Sequence, residues 1–195
     1  MKHIYSIIIA AVVLVFSSQA FAYNWAVDKD HSEIRFEVTH ILTGVSGRFN
    51  DFEGKIFFDP TRPETGKFDF TVKVDSVNTN NGKRDTHLRS KDFFNTSTFP
   101  DMKFQSTGIS HVQGDRYALE GKMTIKGVSK DIHIEFRFLE PKSHPFEKKK
   151  KVAGFITRFS LNRLDYSVGN GKFLEMGVVG KEVDVEIAME ALTDK

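Results

Sequence analysis

Cysteine is absent from the 195 residues. The fold therefore has no disulfide staples, and an N-terminal cysteine is not available to carry a lipid anchor after export. A chain of this length buries roughly 70% of its unfolded surface, enough for an exported domain to hold together without cross-links. A surplus of either charge is also missing: 28 basic residues face 26 acidic ones, a net +2 with histidine neutral. General nucleic-acid binding needs a strongly basic face and is not expected. A membrane-spanning run is lacking as well. The longest apolar stretch, Ile4–Phe16, is interrupted by Ser6 and has about 13 residues, against roughly 20 for a helix that crosses a bilayer.

That stretch follows Lys2 and His3 and precedes Ala20-Phe21-Ala22. A short positive segment, an apolar run and a small-x-small triplet make a cleavable secretory signal over residues 1–22. The expectation is an exported, soluble protein with a single domain over 23–195. Tryptophan occurs once and tyrosine four times, but phenylalanine 19 times. Phenylalanine brings large apolar area with no polar group to satisfy, which suits a greasy core or a core with an apolar cavity in it.

The dominant hydrophobic period is two. Phe68, Phe70, Val72 and Val74 alternate with polar residues in Lys67–Asp75, as do Ile132, Ile134, Phe136 and Phe138, then Val183, Val185, Ile187 and Met189, and Ile34, Phe36 and Val38. Each segment reads as a strand with one dry face and one wet face, the pattern of antiparallel sheets. Weaker strands are expected at Tyr23–Asp28, Phe52–Phe58, Met102–His111, Tyr117–Ile125 and Val152–Leu161, with turns at Pro60–Pro63, Gly114-Asp115 and Lys126-Gly127. Some nine strands of this kind make a barrel or a sandwich, and periodicity alone fits either. Phe36, Phe68, Phe70, Phe104, Phe136 and Phe159 share the apolar phase and are expected to point inward. Two stretches break the period: Asn80–Phe94, which suits a short helix and a loop, and the glycine-rich Asn162–Gly177.

Motifs for chemistry are sparse. The histidines show no spacing typical of a zinc site, so no metal is expected. Ser-x-x-Lys and Gly-x-Ser-x-Gly nucleophile motifs are absent, and Gly169-Asn170-Gly171-Lys172 is too short for a phosphate-binding loop. Lys148 to Lys151 follow Phe146; they suit a solvated hairpin tip or a transient contact with anionic lipid. The densest polar cluster is Asn78–Asn95. It suits a surface helix held by caps and ion pairs, such as Asp85 with Arg89 at i, i+4. It equally suits a lid, with Leu88, Phe93 and Phe94 covering an apolar opening and Arg84, His87 and Arg89 meeting a polar head group.

The run Val77-Asn78-Thr79-Asn80, then Arg84-Asp85-Thr86-His87-Leu88-Arg89-Ser90-Lys91-Asp92-Phe93-Phe94-Asn95 to Pro100, resembles the signature of the YceI-like, or polyisoprenoid-binding, family. Phe36-Glu37-Val38-Thr39-His40, Phe104-Gln105-Ser106-Thr107, Thr124-Ile125-Lys126-Gly127-Val128 and Arg163 with Asp165-Tyr166 are similar too. The resemblance implies an all-β, eight-stranded antiparallel lipocalin-like barrel with a short helix at one end. It implies a periplasmic carrier without enzymatic activity that holds a long isoprenoid, quinone-like or similar lipid as ligand, with no catalytic cofactor. On that basis the apolar tunnel is expected to comprise Phe36, Val38, Phe68, Phe70, Val72, Phe104, Leu119, Phe136, Phe159 and Val185. The head-group or lid set is His40, Arg84, Asp85, His87, Leu88, Arg89, Phe93, Phe94, Arg163 and Asp165. Other readings stand beside this one: a carrier of a fatty acid or fatty amide, an enzyme acting on lipid through His87 with Asp85 or Asp165, and a structural envelope protein. Either a monomer or a homodimer fits.

Overall fold

A computed structural model describes residues 23–194; the expected export signal at 1–22 lies outside the described residues. Ten strands are present: β1 (Tyr23–His40), β2 (Thr43–Phe49), β3 (Phe52–Phe58), β4 (Lys67–Lys73), β5 (Val77–Asn78), β6 (Asp101–Gln113), β7 (Arg116–Ile125), β8 (Val128–Ser143), β9 (Lys150–Asn162) and β10 (Val179–Asp194). Helix α1 covers Gly82–Arg89 and α2 a single turn, Lys172–Glu175. Every pairing is antiparallel. β10 pairs with both β9 and β1, and the order runs on through β8, β7, β6, β4 and β3 back to β1. The result is a closed eight-stranded barrel, which leaves no bare edge around the ring.

Alternation decides which residues enter it. On β3, Phe52, Ile56 and Phe58 are buried while Glu53, Lys55 and Phe57 are exposed. On β8, Phe136 and Phe138 are buried between exposed Glu135, Arg137 and Leu139. The expected segments 23–28 and 33–38 are one strand, because β1 continues through an irregularity between Asp28 and Glu33. Ser32 pins that bulge: its hydroxyl donates to the Glu190 carbonyl and accepts from the Glu190 N–H. β2 escapes the periodic pattern because two of its positions are glycine. Gly47 faces the ring of Phe36, and a Cβ there would meet that ring at 2.4 Å. Gly54 gives way to Phe70 and Gly121 to Phe104 in the same manner. Glycine in these strands is therefore a seat for an aromatic ring on the next strand.

One end of the barrel is solid. Trp25, Phe58, Tyr117, Phe138, Ala153 and Ala191 are buried there. The Phe58 ring, with no exposed surface, has Tyr117, Phe136, Phe138, Phe155 and Phe68 at centroid distances of 5.1–6.1 Å. The buried Trp25 indole N–H is satisfied by the Phe58 carbonyl at 3.1 Å. The β3–β4, β6–β7 and β8–β9 connections lie at this end. The β1–β2 hairpin, the α1 segment, the β7–β8 turn and the β9–β10 connection lie at the other, where Lys126 and Gly127 both take positive φ in a two-residue hairpin. No helix among the described residues is long and apolar enough to cross a membrane.

Candidate functional site: an apolar cavity capped by two irregular segments

Above the aromatic plug the barrel is not filled. A cavity of about 230 Å³ runs toward the opposite end, with an almost wholly apolar wall. All ten tunnel positions expected from the sequence stand on that wall: Phe36, Val38, Phe68, Phe70, Val72, Phe104, Leu119, Phe136, Phe159 and Val185. Phe155, Leu161, Ile187 and Met189 join them from β9 and β10. The wall thus draws on opposite sides of the ring, as in-facing residues of a closed sheet must.

Two segments without regular period cap the far end. The first is α1 with residues 90–100, which contributes Leu88, Phe93 and Phe94 to the cavity wall. Its polar residues hold it in place. Asn81 caps α1 by accepting from the Arg84 N–H at 3.1 Å. The buried Asp85 carboxylate accepts from the Thr79 N–H at 2.9 Å and from its hydroxyl at 2.6 Å. Arg84 donates to the Thr79 hydroxyl and carbonyl, both at 2.7 Å, and Arg89 to the carbonyls of Asp75 and Val77. The expected Asp85–Arg89 pair is therefore not made; each side chain is taken by backbone it reaches at shorter range. Arg84, Asp85 and Arg89 lock the segment to the barrel and do not face the cavity.

His87 is exposed. Its ring meets Asp92 at 3.2 Å and stands edge-on to Phe93, with ring centroids 5.0 Å apart. Phe173, from the second cap, stacks on Phe93 at 5.5 Å. His87 and Asp85 consequently point to different partners and form no acid–base pair.

The second cap is the β9–β10 connection. A 3-10 turn over Arg163–Tyr166 brings Arg163 and Tyr166, three apart and eclipsed, to the cavity side. Asp165, between them, points outward to Lys130 at 3.8 Å. His40 is also off the wall, because the register shifts between Val38 and His40 at the barrel rim and breaks the inward phase. Of the head-group and lid set, Leu88, Phe93, Phe94 and Arg163 reach the cavity; His40, Arg84, Asp85, His87, Arg89 and Asp165 do not. Val168, Tyr166 and Phe173 complete the cap. Val168 and Phe173 carry no sequence signal beyond being the apolar residues of a glycine-rich stretch.

Arg163 is 5% exposed and is the one buried charged side chain on the wall among the described residues. It donates to the carbonyls of Gly180 at 2.7 Å, Val168 at 2.8 Å and Val179 at 3.1 Å. Burial draws its pKa below the ordinary arginine value and pushes that of the Tyr166 hydroxyl up. Gly169, at φ +80°, lets the backbone pass the guanidinium, since a Cβ there would lie 2.4 Å from Nη1. A guanidinium has five N–H groups, so three bonds to carbonyls leave two for another acceptor.

The profile of the YceI-like domain matches residues 25–191. A protein named YceI from Escherichia coli O157:H7 is 32% identical over 186 residues, covering 93% of this chain and 94% of the relative. Among solved structures, Burkholderia cenocepacia BcnA superposes with a TM-score of 0.77 at 22% identity, over 84% of this chain and 98% of that one. A domain described as polyisoprenoid binding, from Saccharophagus degradans, gives 0.65 at 15% identity, over 88% and 99%. Profile, sequence and fold agree over nearly all of the described barrel, and the chain belongs to the YceI-like family.

Proposed function

We propose that this protein is a periplasmic lipid carrier that holds the apolar chain of a polyisoprenoid, or of an isoprenoid quinone, inside its barrel. The observation that carries this reading is the apolar, phenylalanine-lined cavity between the aromatic plug and the two caps. Burying a CH₂ group is worth about 0.8 kcal/mol, so a few five-carbon units supply useful affinity with no polar contact. The polyisoprenoid-binding description of the Saccharophagus domain supports the same ligand class. Entry through the capped end, where Arg163 lies, leaves the polar end of the ligand at the cap and points the apolar tail toward Phe58. In this reading the ligand is carried; His87 and Asp85, one pair that a lipid-acting enzyme would use, do not meet. A fatty acid is a second occupant, since its apolar tail suits the same wall.

The test is replacement of Phe70, half-buried on the cavity wall, by aspartate. A carboxylate in a dry site costs several kcal/mol. Co-purifying lipid, extracted and weighed against protein, should fall to background in Phe70→Asp while the circular dichroism of the barrel persists. Unchanged lipid content in that variant would contradict the assignment of the cavity as the lipid site.

A further inference from the structure

The cavity has a floor made of three rings. Phe68 of β4, Phe136 of β8 and Phe155 of β9 all stand on the cavity wall and are buried. Their ring centroids lie 5.1 Å (Phe68–Phe136), 5.8 Å (Phe68–Phe155) and 6.3 Å (Phe136–Phe155) apart, so together they close the bore. Each also meets Phe58 behind them, at 5.9, 5.5 and 6.1 Å. Phe58 is backed in turn by Tyr117 and Phe138, both at 5.1 Å. A chain that enters at the capped end therefore stops at this layer, because a core packed this closely does not part for it.

The strands measure the distance from floor to cap. β9 carries wall residues from Phe155 to Leu161, and β10 carries them from Met189 to Val183. Leu161 pairs with Val183 and packs against the cap cluster of Phe93, Tyr166 and Val168. Each run advances six residues (155 to 161, 183 to 189). At about 3.3 Å per residue, with the tilt of about 40° usual in such a barrel, that is roughly 15 Å along the axis. An eight-stranded barrel is only wide enough inside to hold one small ligand, so a chain runs along it once, extended. Single bonds of about 1.5 Å in a zigzag advance roughly 1.25 Å per carbon, which gives about 12 chain carbons, or about three isoprenoid units of four chain carbons each.

We propose that Phe68, Phe136 and Phe155 set the length of isoprenoid chain this protein selects, as the end stop of a ruler about three units long. The proposal rests on the carrier reading. Each unit that lies between cap and floor leaves water, which is worth about tenfold or more in affinity. A further unit finds the floor closed, stays in water at the cap and adds nothing. Phenylalanine has seven side-chain carbons and alanine one. Removing one floor ring thus leaves room for about one more five-carbon unit, since a core collapses only partly into such a space.

The test is competitive loading read by native mass spectrometry. Delipidated protein is mixed with equal amounts of prenols of two, three, four and five units, and the adduct masses show which chains are bound. The wild type should prefer three units to two by about tenfold or more and should bind four and five no better than three. In Phe136→Ala, and separately in Phe68→Ala, the levelling should come one unit later. Leu119→Phe puts a larger side chain on the wall two residues above Tyr117 and should bring the levelling earlier; it decides the matter if the alanine variants do not fold. Val183→Ala widens the wall beside the cap without deepening it and should level off where the wild type does. A levelling point unmoved in every folded floor variant would overturn the proposal, as would one moved by Val183→Ala or a wild type whose binding keeps rising to five units. No adduct of any prenol, on a barrel still folded by circular dichroism, would remove the carrier reading and the ruler with it.

Discussion

Arg163 is a buried cation whose hydrogen bonds run to carbonyl oxygens rather than to a carboxylate. Such a group is costly to desolvate, yet its removal strands three acceptors that tie the 3-10 turn to the start of β10. Arg163→Met should therefore destabilise the fold by about 3 kcal/mol, with each abandoned carbonyl costing on the order of 1 kcal/mol. Urea unfolding checks this, and a loss below about 1 kcal/mol would mean that the carbonyls find water instead. Asp85 shows the limit of reading single residues from sequence. Its spacing from Arg89 predicts an ion pair across one helical turn, but a pair at helix spacing is worth only about 0.3–0.5 kcal/mol. Two hydrogen bonds from Thr79 to a buried carboxylate are worth more, and that partner lies in the preceding loop.

At the scale of elements, strands with clean alternation are legible because the pleat forces one face into the core. β4, β8 and β10 appear where the period of two puts them. β2 does not announce itself, since Gly44 and Gly47 remove two side chains from a seven-residue pattern. Glycines in the strands matter through their neighbours, as Gly54 of β3 shows. Gly54→Val would drive its side chain into the Phe70 ring, which lies 2.2 Å from where a Cβ would stand. The ring must then swing into the cavity, so bound lipid should fall at least severalfold with the barrel still folded, as lipid extraction and circular dichroism together would show. The two caps are the least legible part, because a shared role in covering the cavity leaves no period. Their bonding differs. α1 is fastened through Asn81, Arg84, Asp85 and Arg89, whereas the Ser167–Val178 stretch is glycine-rich and has three glycines at positive φ. Hydrogen exchange with and without bound lipid should show protection rising over 167–178 and unchanged over 82–89. The reverse pattern would make α1 the moving lid.

For the whole molecule, the decisive feature is a barrel that is packed at one end and hollow at the other. Phe58 and its ring of aromatic neighbours supply the rigid end; removing a core phenylalanine commonly costs 3–5 kcal/mol. That rigidity fixes the width of the cavity above it. Periodicity alone fits a sandwich as well as a barrel, and only the pairing of β1 with β10 closes the ring. The resemblance carried by the Arg84–Asn95 run identifies the family, yet most of the polar residues in that run position the cap and do not touch the cavity. The central claim, that the cavity exists to hold one long apolar lipid, is most directly tested by native mass spectrometry of the protein purified without detergent from the cells that make it. The account predicts a species heavier than the bare protein by the mass of one isoprenoid lipid, which collisional activation releases. A single species at the mass of the bare chain, unchanged after incubation with an isoprenoid quinone, would contradict it.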